Sequence, residues 1–430
     1  MKINRMLLLL SSFITLSIHT ETSFEPGSKV YISVPVAGCH LQPLSDFFNA
    51  VTQLSYDNIP HSNAGNNSTG TASRINQLTY NTPAEVLEQR GDEIRIKVWL
   101  AYLTKQGIKQ DCWVHKNHLQ AITRENKDAH PNNEPFSTDQ HIITLTEPTT
   151  LHPSNITYPA GTRFVTTGET ELISLSGSNH KTAYKIIGAL LPQPSKKASE
   201  SEKYFYRALN KFGKNPEYLL PIDQCIEEKI APNSEILRSN IIEVLKNLIN
   251  KDGSILFSFG GGTFLQRSNP ETCVQRETEP DKHGVKHAVW DRNDRPDGEV
   301  AAGFDAPHFI TFVLNMSGKP ANSANSTHLL QSLPAVQSGE EIKSGYILAY
   351  VGGAAFLEVH SDSTVTVYLA AGYDSSYKSV VALPIDKVYE GIHTINDLQN
   401  ALIHKRPLQF LKKDGTPTAS KIKEFKILRV

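Results

Sequence analysis

Short apolar runs separated by turn residues fill the first third of the chain. Val30-Tyr31-Ile32-Ser33-Val34 reads as a strand. Val86-Leu87-Glu88 and Ile94 to Trp99 flank a turn at Gly91-Asp92, as the arms of a hairpin do, and Cys112-Trp113-Val114 makes a last short strand. Residues 57–73 are rich in Asn, Ser, Gly and Thr and read as an exposed loop. A second copy of the pattern follows. Leu78-Thr79-Tyr80-Asn81-Thr82-Pro83 resembles Ile156-Thr157-Tyr158-Pro159-Ala160-Gly161, and internal similarity of this kind predicts two tandem small β-barrels, over 28–125 and 139–192. Polar stretches at 126–138 and 192–203 read as linkers, the second opening a connection over 193–231. Helical spacing first appears after Pro232-Asn233-Ser234. Leu237, Ile241, Val244, Leu245, Leu248 and Ile249 form one face, and Gly253 ends the run. A second helix over 306–316, strands at 346–351, 356–359 and 364–370, and a short helix at 398–403 complete an α+β domain over 232–430.

The N-terminus has a different pattern. Lys2 and Arg5 precede an apolar run from Met6 to Ile18 and a polar exit, which describes a secretory signal peptide over 1–23. That run is shorter than the ~20 residues of a membrane span, so a periplasmic or secreted protein of a bacterial envelope is expected, with no stable membrane span. Composition adds exclusions. Hydrophobic residues are 39% and charged residues 20%, with 43 Lys+Arg against 44 Asp+Glu. The balance gives no signature of a nucleic-acid binder. An oxidising compartment permits disulfides among Cys39, Cys112, Cys225 and Cys273. The pairings Cys39–Cys112 and Cys225–Cys273 each stay within one region, although four cysteines allow three pairings.

Five motifs, in order, carry a family resemblance. Phe257-Ser258-Phe259-Gly260-Gly261 sits where NlpC/p60 cell-wall cysteine peptidases have Y-x-W-G-G. Gly303-Phe304-Asp305-Ala306-Pro307-His308-Phe309 sits where they have G-x-D-C-S-G-[FL]. Ile342-Lys343-Ser344-Gly345-Tyr346-Ile347 resembles the [IL]-x-P-G-D-[LI] that introduces the family's catalytic histidine strand, and Ala370-Ala371-Gly372-Tyr373-Asp374-Ser375 and Tyr389-Glu390-Gly391-Ile392-His393-Thr394 resemble later motifs of one subgroup. The chain thus resembles NlpC/p60 peptidases with tandem bacterial SH3-like domains. The resemblance implies two SH3-like barrels followed by a papain-like α+β domain.

In the active family a thiolate at a helix N-terminus is favoured by the helix dipole, an imidazole takes its proton and a third polar group orients the imidazole. The frame for this is present: Asp305 is a good N-cap and Pro307 suits the first turn. The reactive atoms are absent. Ala306 stands at the cysteine position, and counting back from Gly372-Tyr373-Asp374 puts the histidine position at Ala355 and the third at Leu369. The resemblance therefore implies a catalytically inactive member. It would hold a peptidoglycan stem peptide or an envelope protein in a groove formed by Phe257, Phe259, Gly260, Gly261, Asp305, His308, Tyr373 and Asp374, with no cofactor. Two alternatives stay open: an active γ-D-glutamyl-diaminopimelate endopeptidase with a displaced site, and an interaction scaffold or secreted effector.

Other features have plainer readings. His308 and His360 lie near the vacant positions but read as surface or packing residues without a nucleophile to activate. His283 and His287, near Cys273, Asp281 and Asp291, lack a helix and the HExxH glutamate, so no metal site is expected. Gly260-Gly261-Gly262-Thr263 lacks the Lys-Ser/Thr ending of a phosphate loop. Residues 403–430 carry a net charge of +6 and residues 271–305 a net −4, which read as solvated charged faces.

Overall fold

A computed structural model describes residues 24–46, 74–99, 102–103, 109–124, 126–132, 136, 139–151, 156–174, 180–187, 218–258, 260–277, 284, 288–292, 303–323, 325–372 and 375–430. The proposed signal segment 1–23 and the loop 57–73 lie outside them.

The main sheet of the first unit comprises β1 (Lys29–Ile32), β2 (Val36–His40), β3 (Arg74–Thr79), β4 (Pro83–Arg90), β5 (Glu93–Lys97), β6 (Cys112–His115) and β7 (Leu119–Ala121). They form one antiparallel sheet in the order β3-β2-β6-β5-β4-β1-β7. Seven more follow: β8 (His141–Leu145), β9 (Thr149–Leu151), β10 (Ile156–Tyr158), β11 (Arg163–Ser174), β12 (His180–Ile186), β13 (Tyr218–Pro221) and β14 (Cys225–Glu227). Their order, β13-β12-β11-β8-β14 with β9-β10 as a separate pair, repeats the first. The two units differ at one joint: in the first, the β2–β3 hairpin is fixed to β6 through the single pair His40–Trp113.

The duplication extends to individual hydrogen bonds. Between β3 and β4 the N–H of Thr82 returns to the Thr79 carbonyl at 3.2 Å, and between β10 and β11 that of Thr162 returns to Pro159 at 3.2 Å. Each turn places its third residue at positive φ, Asn81 at 66° and Gly161 at 83°. Such turns demand Gly or Asn there. The amides of these two residues donate to Ile32 and Leu145, the last residues of β1 and β8. Asn81 thus corresponds to Gly161, two residues from the register suggested by matching Tyr80 with Tyr158. Those tyrosines instead meet across the seam, ring centroids 4.8 Å apart, in a core shared with Tyr31 and Phe164.

Three expectations change. The sheets are open rather than closed barrels: among the described residues β3 and β7 share no ladder. The reason lies at β3, whose outer side receives the glycine turn 260–262 of the C-terminal unit. A Cβ on Gly260 would collide with the Arg74 carbonyl, and one on Gly262 would come within 2.9 Å of the Gln77 carbonyl. The second unit is also longer than 139–192, since β13 and β14 complete its sheet from within the expected linker. Finally, Cys39 and Cys112 form a disulfide, whereas Cys225 is a free thiol and is not bonded to Cys273.

The C-terminal unit opens with α1 (Ser234–Ile249), capped by the Asn233 side chain, which accepts from the amides of Glu235 and Ile236. Leu237, Ile241, Leu245 and Leu248 are its buried stripe, as the spacing predicts. A short pair, β15 (Gly262–Thr263) and β16 (Gly303–Phe304), leads into α2 (Ala306–Met316), followed by α3 (Ser326–Ser332). The main sheet comprises β17 (Ile347–Tyr350), β18 (Gly353–Val359), β19 (Val365–Ala371), β20 (Ser379–Pro384) and β21 (Phe425–Leu428) in the order β20-β19-β18-β17-β21. Side chains alternate across it. Ala354, Phe356, Tyr368 and Ala370 join α1 and α2 in one core. Leu348, Ala355, Leu357, Val367 and Leu369 join Leu398 and Ala401 of α4 (Ile395–Ile403) in the other.

Candidate functional site

The N-terminus of α2 is organised around one polar side chain. Asp305 caps it: Oδ1 accepts from the His308 amide at 3.0 Å and lies 2.6 Å from His308 Nδ1, while Oδ2 accepts from the Gly260 amide at 3.0 Å. The Asp305 amide donates to the Gly261 carbonyl at 3.1 Å. The carboxylate thus ties the glycine turn, the helix and an imidazole together. Ala306 follows it with 9% of its surface exposed. A methyl group there has no proton to lose and no lone pair, so this helix end presents a dipole and amides but no nucleophile.

The other two expected positions do not converge on it. Ala355 and Leu369 are direct ladder partners, but both face the α4 core, on the side of the sheet away from α2. A shift of one residue along a strand reverses the side-chain face. On the α2 side this pair is flanked by Ala354 and Ala370, 2% and 5% exposed, and by Phe356 and Tyr368. The two alanines carry only methyl groups, and the Tyr368 hydroxyl donates to Glu358. None of these positions offers an imidazole.

The aromatic and glycine motif is structural. Phe257 is buried in the α1/α2 core, its amide donates to the Lys378 carbonyl at 2.9 Å, and a Cβ on Gly372 would approach its ring to 3.3 Å. Gly261 lies against the Gly303 carbonyl. Phe259, Tyr373 and Asp374 lie outside the described residues. His360 is exposed and pairs its Nε2 with Thr366 Oγ1 at 2.8 Å.

No family model matches this chain, and no curated protein does. Structural neighbours are NlpC/P60 family proteins. One from Bacillus cereus ATCC 10987 is similar over 84% of this chain and 95% of its own, at 13% identity and a TM-score of 0.48. NlpC1 and NlpC2 from Trichomonas vaginalis are each similar over 85% of this chain and over 91% and 94% of their own. Identity is 9% for both, with TM-scores of 0.27 and 0.28.

Free thiols do not fill the vacancy. Cys225 lies in β14, at the core shared by the two β units, and burial, with the Asp223 charge adding, pushes its thiol up to about 12. Such a group stays protonated at neutral pH and is a poor nucleophile. The Cys273 side chain lies outside the described residues, as do His283 and His287. Among the described residues no three His, Cys, Asp or Glu side chains are grouped to hold a metal ion.

A groove between the β units and the C-terminal unit does exist, lined differently from expectation. A cavity of about 400 Å³ is enclosed by β3 and β4, by the start of β11 and the segment after β14, and by α2. Of the residues expected in the groove, His308 lines it, whereas Phe257, Gly260, Gly261 and Asp305 do not. Trp99, Phe136, Phe312 and Met316 supply apolar walls. Sequence reasoning missed Trp99 and Arg163 because their roles depend on how three units of the chain meet.

Proposed function

We propose that this chain is a catalytically inactive relative of NlpC-type peptidoglycan endopeptidases, in which the duplicated β units act as SH3-like modules. In this reading the protein is exported, as the basic and apolar N-terminal residues suggest, and holds a cell-wall stem peptide without cutting it. One observation carries the proposal: the capped N-terminus of α2 is built around Asp305, yet the residue it presents is Ala306. The α2-facing strand positions Ala354 and Ala370 offer no base either. Amide hydrolysis by the family route requires a nucleophile and a base within hydrogen-bond reach of each other; this helix end provides no nucleophile, and its imidazole, His308, is held by Asp305 and lines the cavity beside α2.

Muropeptide digestion tests it. Purified protein is expected to release no new products over many hours, and Ala306→Cys alone is expected to remain inactive because the strand positions Ala354 and Ala370 on the α2 side carry no imidazole. Cleavage by the unaltered protein would overturn the inactive reading. Calorimetry with the same muropeptides tests the binding half, which fails if no heat of binding appears.

A further inference from the structure

The cavity behind α2 contains two buried polar atoms without partners, and they are of complementary kinds. His308 is 3% exposed. Its Nδ1 is engaged by the Asp305 carboxylate at 2.6 Å, and a carboxylate that already accepts the His308 amide can only accept again. Nδ1 therefore carries the ring proton, and in the neutral imidazole Nε2 presents a lone pair. That Nε2 is buried and unpartnered on a ring that lines the cavity. Trp99, also in the lining, has its indole Nε1–H buried and equally unpartnered. Indole nitrogen is a donor only. An orphaned buried polar atom is unfavourable by ~1–3 kcal/mol, so two at one cavity mark a place where a ligand's polar groups gain.

Charge narrows the ligand further. The charged side chains of the lining are already matched: Arg163 Nε and Nη2 donate to the two oxygens of Glu228 at 2.6 and 3.0 Å, and Lys229 pairs with Glu227 at 2.6 Å. A net charge entering here would have no counter-ion. The uncharged remainder of the wall combines apolar Phe136, Phe312 and Met316 with neutral polar side chains such as Thr144, Asn240 and Asn315. A volume of about 400 Å³ is within the usual range for small-molecule sites, ~300–1,000 Å³.

We propose that this cavity binds an uncharged peptide unit with an apolar side chain. An amide N–H donates to His308 Nε2, an amide carbonyl accepts from Trp99 Nε1, and the side chain packs on Phe312 and Met316. This inference does not rest on the reading above, since the site lies off the vacant helix end and requires no stem peptide.

N-acetyl-L-phenylalaninamide is the probe, titrated calorimetrically into the full chain. Saturable one-site binding is expected. His308→Phe and Trp99→Phe keep an aromatic ring; the first removes both imidazole nitrogens, the Asp305 contact included, the second removes the indole N–H, and each is expected to weaken binding about 5–10-fold. His308→Gln, which restores an acceptor, is expected to bind within about threefold of the unaltered protein. Zwitterionic L-phenylalanine is expected to bind at least about tenfold more weakly, because its charges enter unpaired. No saturable binding at ~10 mM probe overturns the proposal. So does undiminished binding in both ring variants with unchanged melting, and so does equal affinity for the zwitterion.

Discussion

The two β units share a strand order and a turn, yet each is fastened by a different chemistry. In the first, a disulfide joins β2 to β6, where the ladder supplies only the pair His40–Trp113. In the second, β9 and β10 remain apart from the main sheet and no disulfide replaces the missing joint. There a largely buried Arg163–Glu228 pair ties the start of β11 to the residue after β14, with Thr144 Oγ1 donating to Glu228 at 2.8 Å and Arg163 Nη1 donating to the Asn132 carbonyl at 2.8 Å. A duplicated topology thus fixes where chain segments run, but not which interaction holds them. A covalent link restricts the unfolded chain, whereas a buried ion pair acts only in the folded state and requires both partners.

The difference is testable. Cys39→Ser with Cys112→Ser opens a loop of sequence separation 73, which corresponds to about 4 kcal/mol of lost stability. Denaturant unfolding should show the first unit melting early and the second unchanged, and a reductant should add nothing to the variant's loss. Equal destabilisation of both units would mean that the seam, not the disulfide, governs the first.

The seam has its own titration. His130 stacks on Tyr31 at 4.1 Å and its Nδ1 lies 2.5 Å from Asn81 Oδ1, and burial lowers its pKa from 6.5 to about 4. The folded protein therefore favours the neutral ring. That contribution is complete above pH ~6.5 and is lost as pH falls towards 4, up to about 3 kcal/mol in all. Denaturation midpoints at pH 7, 5.5 and 4 should fall for both units, more steeply for the first, where burial also lowers His118 to about 4, and His130→Gln should flatten the part of the fall that the units share. A midpoint independent of pH over this range would refute the assignment.

Glu228→Gln leaves Arg163 without its carboxylate, and a loss of about 2 kcal/mol is expected in the second unit alone. Burial opposes ionisation of Glu228, but the Arg163 charge and hydrogen bonds, with the Phe136 amide and Thr144 hydroxyl, outweigh it and hold the carboxyl below its usual range. This contribution is present above pH ~4.5 and disappears only at lower pH, so an acid titration separates it from His130. A variant that loses stability mainly between pH 6.5 and 4.5 would show the pair to be misassigned.

What the sequence showed, and where it stopped, follows from periodicity. The stripe of α1 was readable because four buried positions at helical spacing leave little choice, and the repeat because turn residues and strand lengths recur. Its register was not, because two tyrosines matched by identity are chemically alike without being equivalent, while the true correspondence of Asn81 with Gly161 rests on a shared backbone conformation. Ala306 was legible through its cap. Ala355 and Leu369 face the α4 core, away from α2, a face that counting along a strand cannot fix because an error of one residue reverses it. The cavity was illegible because Trp99, Arg163 and His308 lie in three units whose meeting no local pattern encodes.

The turn offers the finest comparison, because one position holds Asn in the first unit and Gly in the second. At positive φ an Asn is tolerated and an Ala is strained. Asn81 also earns its place by donating Nδ2 to the Arg163 carbonyl at 3.0 Å, so it links the two units. Gly161 has no such space: an added Cβ would come 3.3 Å from the Phe312 ring on α2. Gly161→Ala is therefore expected to cost about 1 kcal/mol, combining backbone strain with displacement of Phe312. Because Phe312 also lines the cavity, the same change should alter affinity for the amide probe. Asn81→Gly removes strain but loses the link, and so should loosen the seam while leaving probe affinity unchanged. If the two variants instead affect melting and probe affinity alike, the turns are equivalent in function as well as in geometry, and the seam does not depend on Asn81.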